Sequence, residues 1–372
     1  MKKINIKKSG MVRPLIVTLL SLIILNISFN GVSILSLFSP LEGHTDFQLS
    51  DLYTKVADKR PVSKCSDRVI VMSTDDCSRE EIVAMVDILR DFSPAAIGVD
   101  INFRYPTDDD RHMISVFDDC DNIVLPLIIS SEYDENSFLT GLLPFDKFAA
   151  VNMERFSTWG PIRSFRPMFS TAEGAVPGFP VRLAALADPY QTEKFLKRGK
   201  ESEFINFHSC TFEILTFEDL FDKEASEKIA DKVVLLGDLK NSKDVFPVPH
   251  KDIMPGVMIH AYSVETILSG TLVDSMNMWL NLVISTVLCF LFAFLHIVLE
   301  RYFDDGVDFT VRMIQIVMMF FLYWLGCMLF VHENYYVDMS TALLMIVISA
   351  FSTDVCAGIE HMYIYMKNKF KK

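Results

Sequence analysis

The 372-residue sequence has fewer basic than acidic residues, and it lacks the short motifs of common enzyme classes. Its 35 Lys and Arg residues are outnumbered by 48 Asp and Glu residues, which gives a net charge of −13. This balance excludes the basic surface of a nucleic-acid-binding protein. A phosphate-binding loop, a dinucleotide fingerprint, a GxSxG turn, an HExxH motif and a zinc-type cysteine spacing are all absent from the sequence. We therefore expect no enzymatic activity, no metal bound through cysteine or an HExxH motif, and no cofactor.

Long apolar stretches are the main feature of the sequence. Apolar residues make up 51% of the chain and charged residues only 22%, which excludes a disordered protein. The stretches predict four transmembrane helices, at residues 15–38, 277–299, 313–331 and 336–357. The first is long and no small-residue cleavage site follows it, so a signal anchor is favoured over the alternative of a cleaved signal peptide.

Basic residues outside the apolar stretches predict the topology. The N-terminus (1–14) and the tail (358–372) are both basic, so both are expected in the cytoplasm, together with the loop at 300–312. A short external turn is expected at 332–335. Residues 39–276, which hold most of the acidic residues, then form one extracytoplasmic domain. We expect a multi-pass membrane protein, in contact with lipid, whose large domain lies outside the cytoplasm.

The notable polar residues inside the predicted spans are Asn281, Gln315 and Asp354. Ionisable groups within a membrane can mark ion pathways. The sequence indicates no charged partner for Asp354 at a similar depth, and Asp354 lies close to the cytoplasmic end of its span. Packing between helices is therefore the favoured interpretation of these residues.

The extracytoplasmic segment alternates between buried strands and amphipathic helices. A strand at 68–73, a helix at 82–92 and a strand at 95–99 predict a βαβ unit whose two strands form a parallel pair. Later in the segment, a strand at 232–236 precedes a helix at 257–268. The pattern predicts one α/β domain with a mostly parallel sheet and flanking helices.

Several segments of this domain resemble a known family. They are IGVDINF (97–103), PIRSFRP (161–167), VVLLG (233–237), KDVF (243–246) and MPGVMIHA (254–261). These segments resemble the type-2 CHASE domain, an extracytoplasmic sensory domain associated with bacterial cyclases and histidine kinases. One helix before the domain and three after it is also the arrangement of that family.

The resemblance implies a sensor of a bacterial inner membrane whose large domain faces the periplasm and which acts through another protein. Members of the family usually carry a cytoplasmic output module after the last span, where this sequence has the short basic tail, so we expect a stand-alone receptor subunit. Its expected partners are a periplasmic small-molecule or protein ligand and a separate cytoplasmic or membrane signalling protein. A second copy of the chain, in a homo-oligomer, is a further candidate partner. The alternative is a non-signalling scaffold or assembly subunit whose outer domain binds another envelope protein.

Acidic residues that follow the predicted strands form the candidate ligand site. They are Asp75, Asp76, Asp100, Asp238 and Asp244. Because the carboxyl ends of parallel strands meet at one edge of a sheet, these carboxylates are expected to converge there. They could bind Ca²⁺, Mg²⁺ or a polar small molecule. The alternative is that they accept backbone N–H bonds at turns and helix starts.

Histidine and cysteine offer two further candidates. His260, in the first turn of the last outer helix, is a candidate pH sensor and coupling residue, and a buried neutral histidine is the alternative. Cys65, Cys77, Cys120 and Cys210 precede the C-terminal spans. One structural disulfide, for example between Cys65 and Cys77, and unpaired burial both fit these four residues.

Overall fold

The structure is a computed structural model that describes residues 12–29, 49–58, 63–107, 110–129, 136–154, 160–171, 174–207, 210–241, 243–249, 251–303 and 306–369. It divides into a helical unit, Met1–Tyr53 with Asp274–Lys372, and an α/β unit, Thr54–Val273.

The helices are α1 (Val12–Phe29), α2 (Leu49–Asp58), α3 (Arg79–Asp91), α4 (Asp110–Asp118), α5 (Phe179–Ala187), α6 (Pro189–Leu196), α7 (Ala225–Ile229), α8 (Gly256–Ser269), α9 (Met278–Tyr302), α10 (Val307–Glu333) and α11 (Ser340–Lys369). The strands are β1 (Ser63–Lys64), β2 (Val69–Ser73), β3 (Ala96–Val99), β4 (Ile123–Leu127), β5 (Phe148–Ala150), β6 (Ser164–Phe165), β7 (Met168–Thr171), β8 (Gly174–Pro177), β9 (Glu203–Phe204), β10 (Cys210–Thr211), β11 (Glu213–Leu215), β12 (Val233–Gly237), β13 (Val245–Val248), β14 (Lys251–Pro255), β15 (Asp274–Ser275) and β16 (Tyr335–Tyr336).

A six-stranded sheet with the strand order β11-β2-β12-β3-β4-β5 forms the centre of the α/β unit. Its strand pairs are all parallel. Every residue of β2 and of β12 is buried, as expected of strands that helices cover on both faces. The expected α/β domain with a mostly parallel sheet is confirmed.

Side chains alternate between the two faces of this sheet. Val71 and Leu235 pack in one core with residues of α5 and α8. Ile70, Met72 and Leu236 pack in the other core with residues of α3 and α4. Successive side chains of a strand point to opposite faces, and here both faces are removed from water. Strands β2 and β12 are therefore nearly continuous runs of apolar residues in the sequence.

The predicted βαβ unit is present, but its two strands do not pair with each other. Helix α3 begins at a capping box in which Ser78 and Glu81 exchange hydrogen bonds, and it connects β2 to β3 as expected. Strand β12 lies between β2 and β3 and pairs in parallel with both. The expected direct pair is therefore wrong, because a strand from much later in the chain enters the sheet between them.

The cysteines of the α/β unit differ in their bonding. Cys65 is disulfide-bonded, whereas Cys77 and Cys120 are free thiols. The suggested Cys65–Cys77 disulfide is therefore wrong. The side chain of Cys210 lies outside the described part of the structure.

The helical unit contains three helices that are long and apolar enough to cross a membrane. They cover Met278–Glu300, Val307–Glu333 and Ser340–Lys369. Helix α1 is apolar over Val12–Leu25 but shorter, and residues 30–38 of the expected first span lie outside the described residues. Three spans are thus supported, and the fourth stays a prediction.

Polar side chains connect these helices. Gln315 of α10 donates a hydrogen bond from Nε2 to Ser349 Oγ of α11 at 3.2 Å. Asn281 of α9 donates from Nδ2 to the carbonyl oxygen of Asp338, two residues before α11, at 2.5 Å. These contacts agree with the expected packing role of Asn281 and Gln315.

Asp354 of α11 has a charged partner that the sequence did not indicate. Both of its carboxylate oxygens accept hydrogen bonds from Arg312 Nη2 of α10, at 2.7 and 2.8 Å. The expectation that Asp354 lacks a charged partner at its depth is therefore wrong. Because Arg312 lies in the second turn of α10 and Asp354 in the middle of α11, only the packing of the two helices brings them together.

We predict that Gly237→Ala destabilises the protein by about 1–3 kcal/mol, because an added Cβ overpacks the core. A Cβ at Gly237, the last residue of β12, would lie 2.6 Å from Cβ of Val257 in α8. Thermal and denaturant unfolding of the detergent-solubilised full chain measures the effect. Gly141→Ala is the matched control, since a Cβ there meets nothing within 4 Å, and equal stability of the two variants would contradict the prediction.

Candidate functional site

The carboxyl ends of β2, β12 and β3 lie side by side at one edge of the sheet. Asp75 and Asp76 follow β2, Asp238 follows β12, and Asp100 follows β3. Asp244, in the loop between β12 and β13, is near enough to Asp100 and Asp238 for their charges to act on it. The structure therefore places the five predicted residues at the same edge, and we call them the acidic edge.

Asp75 and Asp238 are used to build the loop that follows β12. Asp75 Oδ1 accepts hydrogen bonds from the backbone N–H groups of Leu239 and Lys240, at 2.7 and 3.0 Å. Asp238 Oδ1 accepts from Lys240 and Asn241, at 2.9 and 2.8 Å. Burial opposes the ionisation of Asp75, but its hydrogen bonds outweigh burial and hold its pKa below the usual value. These two residues fit the turn-stabilising alternative.

Asp76 is a solvent-exposed member of the acidic edge. Its side chain is 89% exposed and lies 3.3 Å from Lys240 Nζ. Its φ of 61° places the backbone in the left-handed region, which aspartate tolerates at turns. An ion pair this exposed contributes little to stability, so we assign Asp76 to the surface of the turn.

Asp100 and Asp244 differ from the other members because no described residue donates a hydrogen bond to either carboxyl group. Burial raises the pKa of Asp100 to about 7. Burial, together with the negative charges of Asp100 and Asp238, raises the pKa of Asp244 to about 7. Two carboxyl groups that are half-protonated near neutral pH, at the ligand-binding edge of a parallel sheet, are a candidate functional site.

Asp244 is in direct contact with the start of α8. A Cβ on Gly256, the first residue of this helix, would lie 2.8 Å from Asp244 Oδ2, so the carboxyl group fits only because Gly256 has no side chain. The Gly256 N–H donates to the backbone carbonyl oxygen of Asp244 at 3.0 Å. Sequence reasoning missed this role of Gly256, although a Pro-Gly pair before a helix was a visible signal.

His260 lies one turn further along α8, inside the core. It is 5% exposed, and its ring centroid is 5.1 Å from that of Phe179 in α5. Burial lowers the pKa of His260 to about 3. The ring is therefore neutral at ordinary pH, a state that fits the alternative of a buried histidine.

The acidic edge suits a polar ligand better than a cation. Within the described residues, no group of three or more His, Cys, Asp or Glu side chains is arranged to hold a metal ion. Asp75 and Asp238 already accept backbone hydrogen bonds, which leaves Asp100 and Asp244, whereas Ca²⁺ takes six to eight oxygen ligands. A partly protonated pair of carboxyl groups can instead both donate and accept hydrogen bonds.

A pocket of about 540 Å³ lies at the start of α4 in the α/β unit. Asp110 in its wall is held by Arg79, whose Nη1 lies 2.7 and 3.0 Å from the two carboxylate oxygens. Thr107 donates its backbone N–H to Asp110 at 2.6 Å. Because these polar groups satisfy one another, the pocket offers Arg111 and apolar side chains to a ligand.

The sequence matches the CHASE2 domain family over residues 34–299. This segment is more than half of the 372-residue chain, and the chain therefore belongs to the CHASE2 domain family. CHASE2 is an extracytoplasmic sensory domain, and with the three apolar helices it defines a membrane sensor. No curated protein and no solved structure matches the chain.

We predict that Asp100→Asn and Asp244→Asn stabilise the full-length protein at pH 8 and leave its stability nearly unchanged at pH 4. A carboxyl group whose folded pKa lies above its unfolded value stabilises the fold while protonated, and this contribution is lost as the pH rises from about 4 to 7. Asparagine resembles the protonated form at every pH. The expected gain at pH 8 is about 1–2 kcal/mol per site, after allowance for partial exposure.

Melting curves between pH 4 and 8 measure this difference against the wild type. Asp75→Asn is the control with the opposite sign, because its folded pKa is lowered and the ionised form stabilises the fold. Asp75→Asn should therefore destabilise the protein at pH 8. Parallel pH profiles for the wild type and the Asp100 and Asp244 variants would contradict the assignment.

Proposed function

We propose that the chain is a receptor subunit of a bacterial inner membrane, whose α/β unit binds a ligand in the periplasm. Its helical unit relays the binding event to a separate signalling protein, and the chain has no enzymatic activity of its own. The observation that carries the proposal is the contact between Asp244 of the acidic edge and Gly256 at the start of α8. Membership of the CHASE2 domain family supports the sensory role.

The ligand site in this proposal is formed by Asp100 and Asp244. While both carboxyl groups are ionised they repel each other, and no described donor compensates them. A ligand that donates hydrogen bonds to both removes that repulsion. Such a ligand shifts the equilibrium between two conformations of the α/β unit because it binds one arrangement of the two carboxyl groups better than the other. The expected ligand is a small polar molecule with at least two donor groups.

Helix α8 is the coupling element in this proposal. Its first residues pack against the acidic edge at Gly256 and against the central strand at Gly237. Its end at Ser269 is only four residues from Val273, the last residue of the α/β unit. A displacement at Asp244 therefore acts on one rigid helix that leads to the helical unit.

The last turns of α11 provide a contact surface for the signalling partner. Ile359, Met362, Tyr363 and Met366 are all exposed, and their spacing of i, i+3, i+4 and i+7 places them on one face of the helix. An apolar face of this kind fits a hydrophobic groove or a second helix of another protein. The alternative, a scaffold subunit, can use the same face but has no need of a ligand at the acidic edge.

We predict that a small polar solute raises the melting temperature of the full-length protein at pH 7. At a hundredfold excess over Kd, the stabilisation is about 2.7 kcal/mol. Asp100→Ala and Asp244→Ala should abolish the shift, and Asp76→Ala, at the exposed residue, should retain it. A solute library that stabilises no variant, or stabilises all of them equally, would favour the scaffold.

We predict that photoreactive side chains at positions 359 and 363 capture a cytoplasmic kinase or cyclase in native membranes. Position 361, on the other side of α11, is the matched control and should capture less, because only the apolar face is expected to be in contact. Mass spectrometry identifies the captured chains. Capture of envelope proteins alone, through the α/β unit, would contradict the relay and support the scaffold.

A further inference from the structure

Tyr53 of α2 is completely buried within the helical unit. Its side chain has 0% exposure. Its ring centroid lies 6.1 Å from that of Tyr323, 5.9 Å from that of Phe330 and 6.1 Å from that of Tyr336. Aromatic rings at these separations attract one another in addition to the gain from burial. Helix α10 and the turn that follows it therefore enclose one side chain of α2.

A glycine makes room for this ring. The hydroxyl end of Tyr53 lies over Gly326 of α10, where an added Cβ would be 2.7 Å from Tyr53 Cζ. The Tyr53 hydroxyl has no hydrogen-bond partner among the described residues. Since a buried hydroxyl without a partner is unfavourable, the packing of the ring is what holds Tyr53 in place. We call Tyr323, Gly326, Phe330 and Tyr336 the Tyr53 socket.

A second segment is fixed to the same turn by backbone hydrogen bonds. Strand β15 pairs in parallel with β16, which lies between α10 and α11. The N–H of Asp274 donates to the carbonyl oxygen of Asn334 at 2.9 Å, and the N–H of Met276 donates to that of Tyr336 at 2.9 Å. Tyr336 thus belongs both to the Tyr53 socket and to this small sheet.

These two contacts occur where the chain passes between the units. The α/β unit begins at Thr54 and ends at Val273, so Tyr53 and Asp274 are the residues that adjoin its two ends. We infer that the turn between α10 and α11 is the point at which a displacement of the α/β unit enters the helical unit, with the Tyr53 socket as its joint. This inference rests on the proposed relay and names the element that receives it.

The socket predicts a specific pattern of thiol reactivity in the full-length protein. Cys327 is a free, buried cysteine next to Gly326. Tyr53→Ala should empty the socket, raise the rate of maleimide labelling at Cys327 at least tenfold, and lower the melting temperature by roughly 5 °C. Gly326→Ala should do the same by displacing the ring. Labelling is quantified on the Cys327 peptide by mass spectrometry, with buried Cys289 of α9 as the internal reference.

Two variants control for general damage to the fold. Tyr53→Phe retains the ring and removes only the unpartnered hydroxyl, so its labelling rate and melting temperature should equal those of the wild type or improve on them. Gly358→Ala places a Cβ where nothing lies within 4 Å and should also behave as the wild type. Equal rates of Cys327 labelling in Tyr53→Ala and the wild type would contradict the inference that the Tyr53 ring fills the socket.

Hydrogen exchange of the full-length protein, without a ligand or a partner, tests whether a displacement in the α/β unit reaches the turn between α10 and α11. Gly237→Ala displaces α8, and the amides of Asp274 and Met276 should then exchange at least threefold faster, while Gly141→Ala leaves them unchanged. Unchanged exchange at these amides in Gly237→Ala would overturn the transmission. Failure to capture a partner at α11 while these results hold would overturn the proposed function alone.

Discussion

The direct contact between α8 and the central strand β12 is the constraint on which the rest of the α/β unit depends. Gly237 ends the strand without a side chain, and Val257 of the helix occupies the space that a side chain would need. The helix therefore lies closer to the sheet than an ordinary side-chain layer allows. Close-packed protein interiors have low compressibility and transmit strain. In the relay that we propose, α8 therefore moves as one body when its first turn is displaced.

The acidic edge shows how one residue type serves two purposes at the ends of neighbouring strands. Asp75 and Asp238 have backbone N–H partners, and they shape the loop after β12. Asp100 and Asp244 have no described donor, and their pKa values of about 7 reflect the unfavourable free energy of ionising them there. A ligand that donates hydrogen bonds to these carboxyl groups would remove that unfavourable free energy and bind more tightly as a result. Asp100 and Asp244 are therefore better candidates for ligand sensing than Asp75 and Asp238.

The helical unit combines apolar surfaces with a small number of specific contacts. Side chains such as Arg312 and Asp354 join helices that lipid alone would not hold in register. The Tyr53 socket adds a contact that depends on shape, because only glycine at position 326 leaves room for the ring. Contacts of both kinds involve α10 and α11. We propose that a displacement enters the helical unit at the turn between these two helices and that the end of α11 contacts the signalling partner.

Much of this organisation follows from local sequence patterns. The apolar stretches, the capping box at Ser78, the strand at residues 232–236 and the helix that follows Pro255 were all predictable, because each depends on residues close together in the chain. The convergence of the five aspartates at one edge was also predictable, since parallel strands end on the same side. Membership of the CHASE2 domain family agrees with the resemblance carried by those segments.

Tertiary structure decided the features that depend on distant residues. Strand β12 lies between β2 and β3, and no local pattern states which parallel strands become neighbours. Arg312 reaches Asp354, and Tyr53 enters the space over Gly326, only once separate helices have packed. The difference between Asp75 and Asp100 has the same origin. Periodicity fixes where an aspartate falls along a strand, whereas burial and the partners brought by the rest of the fold set the pKa of its carboxyl group.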